Sequence, residues 1–328
     1  MTATTGQQSP KDLAPDPTGK KKVVRIGDRV FSFSATAAGS LILIVLAAVA
    51  IFLVQQGWPA MTAPIEELQE VPGFTYSNIL AYAGPLAFGT LLAALIALVI
   101  ATPIAVGIAL FISHYAPRRL ASGLGYVVDL LAAIPSVVYG LWGGLWLMPQ
   151  IFPFFEWLAK YFGWIPIFAG PAASPPRTIL LAGVVLAVMI LPIITAVSRE
   201  VFLQTPKLHE EAALALGATR WEMIRMAVIP FGRSGVISAA MLGLGRALGE
   251  TMAVAMVLSP GFLYSFFLLK AGQQQSIAAN IALKFPEANA LGVAVLIFSG
   301  LVLFVITLAV NMLARWIISR RKEFSGAN

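Results

Sequence analysis

The sequence predicts an all-α integral membrane protein with six transmembrane helices and both termini in the cytoplasm. Three observations lead there. Apolar residues make up 59% of the 328 positions and charged residues only 11%, with a mean hydropathy of +0.85, a composition foreign to water-soluble domains. The apolar residues fall in runs of about twenty, the length that crosses a hydrocarbon core. The basic residues alternate from loop to loop in the pattern that orients such spans.

The spans are read at 35–54, 84–112, 124–147, 179–197, 235–258 and 291–313. Residues 1–34 form a basic cytoplasmic tail, whose start is rich in Thr, Gln, Pro and Lys and reads as disordered. The first span and its flank are too long for a cleaved leader and stay as an anchor, so 35–83 is one helix and an external loop. In that loop Glu66, Glu67 and Glu70 fit a short surface helix. The second span is longer than a crossing needs and tilts or bends at Pro103. In the third, Pro135 frees the carbonyl of Leu131; Ser136 and Tyr139 then face a polar cavity or flank a packing kink. Asp129, a few residues inside that span, reaches water or a basic partner. Residues 149–177 form a longer external loop with Pro149, Pro153, Pro166, Pro171, Pro175 and Pro176. Its Trp157, Tyr161, Phe162 and Trp164 read as interfacial anchors of a hairpin resting on the headgroups, rather than as a ligand site. After the sixth span, 314–328 is a basic cytoplasmic tail.

Charge and composition exclude several classes. Seventeen of the 22 basic residues lie in the tails and in the loops after spans two and four, against four in the other loops. The positive charge therefore reports topology and not a nucleic-acid partner. The absence of cysteine removes disulfides and thiolate chemistry. His114 and His209 stand far apart, without a carboxylate cluster to make a metal site. No G-x-x-x-x-G-K-[ST] phosphate loop is present. The chain thus carries no cofactor and is no enzyme, and energy for any transport comes from another subunit or an ion gradient.

The fifth span holds two charges, Arg246 and Glu250. Each costs roughly 2.5–3.5 kcal/mol to insert, so such groups rarely persist without a role. Arg246 falls about 17 Å along the span, near the midplane. Four apart on one helix, the two are placed to pair. A guanidinium stays charged and its fork matches the oxygens of an anion. Arg246 and Glu250 are therefore the candidate lining of an anion path, the alternative being a permanent brace between spans. The nearby glycines read as packing ridges, Gly245-x3-Gly249 and Ala239-x3-Gly243-x3-Ala247.

The loop 199–233 between spans four and five is the other informative stretch. Thr205 suits a helix cap, Pro206 the first position and Gly217 the residue past its end. Thr219-Arg220-Trp221-Glu222 fits a capping box for a second short helix that stops near Pro230. The first helix, with Ala212, Ala213, Leu214, Ala215 and Leu216, offers a small apolar knob to a partner's groove.

Glu211-Ala212-Ala213-x3-Gly217, with Pro230 at the matching distance, resembles the EAA loop of ABC importer permeases, E-A-A-x3-G-x9-I-x-L-P. Ala227 and Ile229 depart from the pattern but stay apolar. The run from Leu131 to Trp142 and the Gly-Leu-Gly-Arg-Ala-Leu-Gly-Glu-Thr-Met-Ala stretch ending at Ala253 resemble the phosphate-specific permease of the PstC type. The likeness covers 84–313, which becomes the permease core. The resemblance implies a type I ABC importer in a prokaryotic inner or plasma membrane, in which this chain pairs with a second permease above an ATPase dimer. ATP and Mg bind that dimer, which docks on Glu211, Ala212, Ala213 and Gly217, and an extracytoplasmic binding protein delivers phosphate. Two alternatives stay open: an ABC permease for sulfate or molybdate, which the Arg246/Glu250 segment disfavours, and a gradient-driven anion carrier, which has no need of the docking loop.

Overall fold

The computed structural model describes residues 26–71 and 74–321. The expectations for residues 1–25 and 322–328, most of the two tails, lie outside the described residues. The chain forms two units, Met1–Ile51 and Phe52–Asn328. The described part of the first unit is helical throughout, from Ile26 in α1 (Ile26–Thr62).

Among its described residues the second unit contains the end of α1 and twelve further α-helices. They are α2 (Ile65–Gln69), α3 (Ile79–Leu110), α4 (Arg118–Ala132), α5 (Ser136–Trp142), α6 (Met148–Phe162) and α7 (Ile179–Leu203). There follow α8 (Lys207–Ala215), α9 (Arg220–Met223), α10 (Ile229–Leu248), α11 (Met252–Val257), α12 (Ile277–Lys284) and α13 (Ala290–Arg321). Five stretches, Arg29–Thr62, Ile79–Tyr115, Ile179–Leu203, Arg220–Leu248 and Ala290–Trp316, are long and apolar enough to cross a membrane, and a bent pair, Arg118–Ala132 with Ser136–Phe162, makes a sixth. The predicted all-α class is the observed one, with five helices able to cross a membrane, or six where the bent pair counts as one span.

Helix starts follow local chemistry. Asn78 Oδ1 accepts the Ala81 N–H at 2.7 Å, Thr178 Oγ1 that of Leu181 at 3.3 Å and Ser276 Oγ that of Ala279 at 3.2 Å. The short helix expected at Glu66–Glu70 is α2, with Leu68 buried.

Two predicted spans are corrected. The third does not run unbroken over 124–147: it bends by 91° between α4 and α5, because Pro135 cannot donate to the α4 ladder. Beyond the bend the helix continues to Phe162, into the stretch expected as loop. The fifth begins at Arg220 and stops at Leu248, and the second short helix does not end at Pro230 but runs on into α10. Both continuations use one device. A π turn, Gly143–Leu147 or Ile224–Val228, ends with an N–H bonded five residues back, Met148 to Gly143 or Ile229 to Ile224. Pro149 or Pro230 comes next, where the shifted register spares it the clash that usually ends a helix.

The centre is α3, α7 and α10 packed on one another, with α13 against α3 and α10. Gly89, Ala93, Ala97, Ala101, Ala105 and Ala109 recur every fourth residue along α3 and are all buried. This ridge lets α7 approach closely. On its other side α7 receives α10: a Cβ at Gly243 would stand 2.9 Å from the Ile194 side chain, and one at Gly232 would stand 2.7 Å from the Phe202 ring. The Ala239–Gly243–Ala247 ridge is thus a packing ridge as expected. Gly245 is not: a Cβ there meets nothing within 4 Å. We therefore expect Gly243→Ala to destabilise the purified protein by about 1–3 kcal/mol. Gly245→Ala should leave it unchanged or stabilise it by up to about 1 kcal/mol. Thermal unfolding in detergent measures both.

Candidate functional site

Two chain breaks meet inside the bundle. α5, the arm beyond the 91° bend, packs on α11, the arm beyond the interruption of the fifth span. The contact is close, since a Cβ on Gly140 would stand 2.8 Å from Ala253 Cα and 2.9 Å from Met256 Sδ.

The charges sit at this junction. Arg246 occupies the last turn of α10, where the helix dipole favours a cation. Glu250 lies just before α11, where the dipole favours an anion; it is only 7% exposed, and its Oε1 accepts the Ala253 N–H at 3.0 Å. The sequence had placed the two on one helical face as a pair. They are not an ion pair, because α10 ends at Leu248, Gly249 takes the cap position, and the Glu250 carboxylate turns to the next helix. The ion pairs within 4.0 Å among the described residues are His114–Glu210, Arg199–Asp129 and Arg199–Glu200. The guanidinium of Arg246 makes no hydrogen bond or ion pair among the described residues, and its charge acts on the Tyr139 hydroxyl.

Tyr139 is buried, and its hydroxyl donates to the Leu131 carbonyl at 2.9 Å. That is the carbonyl Pro135 leaves short of its helical donor, so Tyr139 braces the bend while standing beside Arg246. Ser136 opens α5 and is half-buried. Asp129 meets the expected basic partner, Arg199, at 3.8 Å. The face of α10 turned away from α7 exposes Ser234, Ser238, Leu242 and Gly249, with Gly245 and Arg246 half-buried in the same stripe. Among the described residues no other helix packs on Gly245 or Gly249, so the ridge reading of Gly245-x3-Gly249 does not hold there.

The 199–233 loop forms a compact two-helix unit. Gly217 has φ +86°, and the N–H groups of Gly217 and Ala218 donate to Leu214 at 2.9 Å and Ala213 at 3.2 Å, closing α8 with a Schellman motif. The capping box is present: Thr219 Oγ1 accepts the Glu222 N–H, and Glu222 accepts the Thr219 N–H at 2.8 Å. The other end differs from expectation. Pro206, not Thr205, takes the N-cap position, and the buried Thr205 hydroxyl finds no partner. Glu211 and Ala212 are exposed, as are Leu208, Leu214 and Leu216. Ala213 packs on a small apolar cluster of Ala109, Leu110, Phe202, Met223, Ile224 and Val228.

Residues 101–323 match a family described as binding-protein-dependent transport system inner membrane components. The chain belongs to this family. It is 46% identical over 305 residues to the phosphate transport system permease protein PstC 2 of Mycobacterium tuberculosis, covering 89% of this chain and 91% of that one. It is 40% identical over 308 residues to the phosphate transport system permease protein PstC of Xylella fastidiosa, covering 90% and 92%. Its fold is similar to that of a bacterial ABC transporter involved in the import of the acidic polysaccharide alginate, with a TM-score of 0.54 and 18% identity over 88% of this chain and 96% of that one.

In this inner membrane component the structure brings Arg246, Glu250 and Tyr139 to one junction, with Ser136 at its bend, and sets Glu211, Ala212 and Ala213 apart on α8, with Gly217 just past its end. Sequence reasoning missed the His114–Glu210 contact and the alanine ridge. The ridge was open to an i+4 search of the second span; a contact across 96 positions leaves no mark in a single sequence. Gly140→Ala should press on Ala253 and cost about 1–3 kcal/mol. Its effect on thermal unfolding should exceed that of an alanine placed at Gly144, whose Cβ would lie no closer than 3.7 Å to a neighbour.

Proposed function

We propose that this chain is the transmembrane permease subunit of an ATP-driven importer of inorganic phosphate. The observation that carries the proposal is Arg246, a guanidinium at the interrupted end of a membrane-spanning helix with no carboxylate within 4.0 Å among the described residues. An unneutralised cation there is costly unless an anion visits it. Phosphate suits it, because two of its oxygens match the guanidinium fork. Glu250 keeps a negative charge nearby yet engaged with the α11 backbone. That arrangement tempers phosphate binding, so that the anion can also leave. The PstC names of the relatives agree with this choice of anion.

Membership in a binding-protein-dependent family fits delivery by an extracytoplasmic phosphate-binding protein. The reading adds a second, homologous permease to complete the path and an ATPase dimer that binds ATP and Mg. The basic loops put both termini and α8 on the cytoplasmic side of a prokaryotic inner membrane, in contact with lipid. There the exposed Glu211, Ala212, Leu208 and Leu214 on α8 supply the ATPase dock, and Gly217 shapes its end.

Arg246→Gln should lower labelled phosphate uptake about 10- to 100-fold at unchanged protein level, the worth of about 1.5–3 kcal/mol in a charged hydrogen bond. Glu250→Gln should alter uptake in the same assay. Excess sulfate or molybdate should not compete. Wild-type uptake by both variants would remove the charges from the path; competition by sulfate or molybdate would transfer the role to another oxyanion.

A further inference from the structure

We infer that His114 and Glu210 are positioning residues, the polar half of a two-point linkage through which movement of α8 reaches the membrane core. The inference rests on the reading of α8 as the ATPase dock. Of the nine residues in α8, Glu210 and Ala213 alone are not exposed. They are three apart, hence on one face. Ala213 enters the apolar cluster that contains Ala109 and Leu110, the last turn of α3. Glu210 Oε1 lies 3.5 Å from His114 Nε2, in the π turn Phe111–Tyr115 that continues α3. The polar contact thus grips the end of α3 directly, and the apolar one grips the cluster in which that end meets Phe202 of α7 and the π turn Ile224–Val228.

The histidine is built to hold a fixed position. Its side chain is 7% exposed, against 23% for that of Glu210, and Nδ1 lies 2.7 Å from Ser113 Oγ. With one nitrogen engaged there, the other is aimed at the carboxylate. A surface ion pair between mobile side chains is worth little; here one partner is buried and oriented, so the pair transmits displacement rather than fluctuating. At the entry to α8 no comparable side-chain grip exists among the described residues, since the Thr205 hydroxyl is unbonded and Pro206 offers no side-chain cap. From α3 the path is continuous: the alanine ridge contacts α7, and Ile190 and Ile194 of α7 contact α10 at Gly243, one turn from Arg246.

The test uses the complete reconstituted importer and reads phosphate moved per ATP hydrolysed. His114→Ala and Glu210→Ala should each retain the co-purifying ATPase and its hydrolysis rate. Each should lower phosphate per ATP about fivefold or more, and the exchanged pair His114→Glu with Glu210→His should recover at least about half of the loss, as expected of coupled sites. An unchanged ratio in the single variants, or an exchanged pair no better than either, would overturn the linkage. Loss of ATPase binding by His114→Ala would also overturn it, making the pair a mere support for α8. Leu214→Asp on the exposed face separates the underlying reading: if the ATPase still co-purifies, α8 is not its dock, whatever the His114 variants do.

Discussion

The structure hangs on the alanine ridge of α3. In lipid two helices gain nothing from hiding apolar surface from water, so association depends on how closely backbones approach. Alanine at every fourth position from Ala93 to Ala109 gives α7 a smooth track, and all of these positions are buried. Thr195 Oγ1 comes within 3.5 Å of the Ala105 carbonyl on the neighbouring helix, a reach that only such closeness allows. The glycines of α10 repeat the tactic on the far side of α7, where Gly232, Gly235 and Gly243 face bulky side chains. A frame of three helices results, in which small residues of α3 and α10 receive the larger side chains of α7 between them.

The frame permits two interruptions that a lipid-exposed helix would not survive. Open backbone inside a membrane must be covered by protein or line a cavity. The bend at Pro135 is braced by the Tyr139 hydroxyl, and the gap after Leu248 is braced by Glu250 on the Ala253 N–H. The arms beyond the two gaps, α5 and α11, then cover one another through Gly140. Discontinuous helices of this kind bring dipole ends into the interior, and at the gap after Leu248 the two ends meet charges of the fitting sign, Arg246 and Glu250. The Arg246 guanidinium is stabilised by backbone and not by a counter-ion, which leaves its donors uncommitted.

How far the sequence revealed this depended on the range of each signal. Spans two, four and six, the Schellman end at Gly217 and the Thr219–Glu222 box follow from nearby residues, and all appear. The resemblance drawn from Glu211, Ala212, Ala213, Gly217 and Pro230 points to the family that the chain belongs to. The errors have a common source, the assumption of a regular helix. On sequence alone the third span ends at Leu147 and the second short helix near Pro230, whereas the π turns before Pro149 and Pro230 shift the register and let the helix pass. Arg246 and Glu250 were paired by the four-residue rule, which holds only while the helix continues, and Gly249 ends it. The stripe at Gly245 and Gly249 was assigned a packing partner, yet Gly243, two residues away on another face, is the one that has it. No local pattern decides which face of a uniformly apolar helix is covered.

The helix Arg220–Leu248 carries one consequence beyond these contacts. Its 29 residues form an uninterrupted rod, about 43 Å long at 1.5 Å per residue. At one end the Schellman motif and the capping box fuse it to α8 with the turn's backbone groups satisfied; near the other stands Arg246. Such a rod acts as a lever arm. A tilt of about 5° about its α8 end displaces the far end by about 4 Å, more than the length of a hydrogen bond. Because α10 is packed on α7 and α3, such a tilt carries the frame with it, and a small rotation at α8 becomes a displacement of Arg246 on the scale of a hydrogen bond.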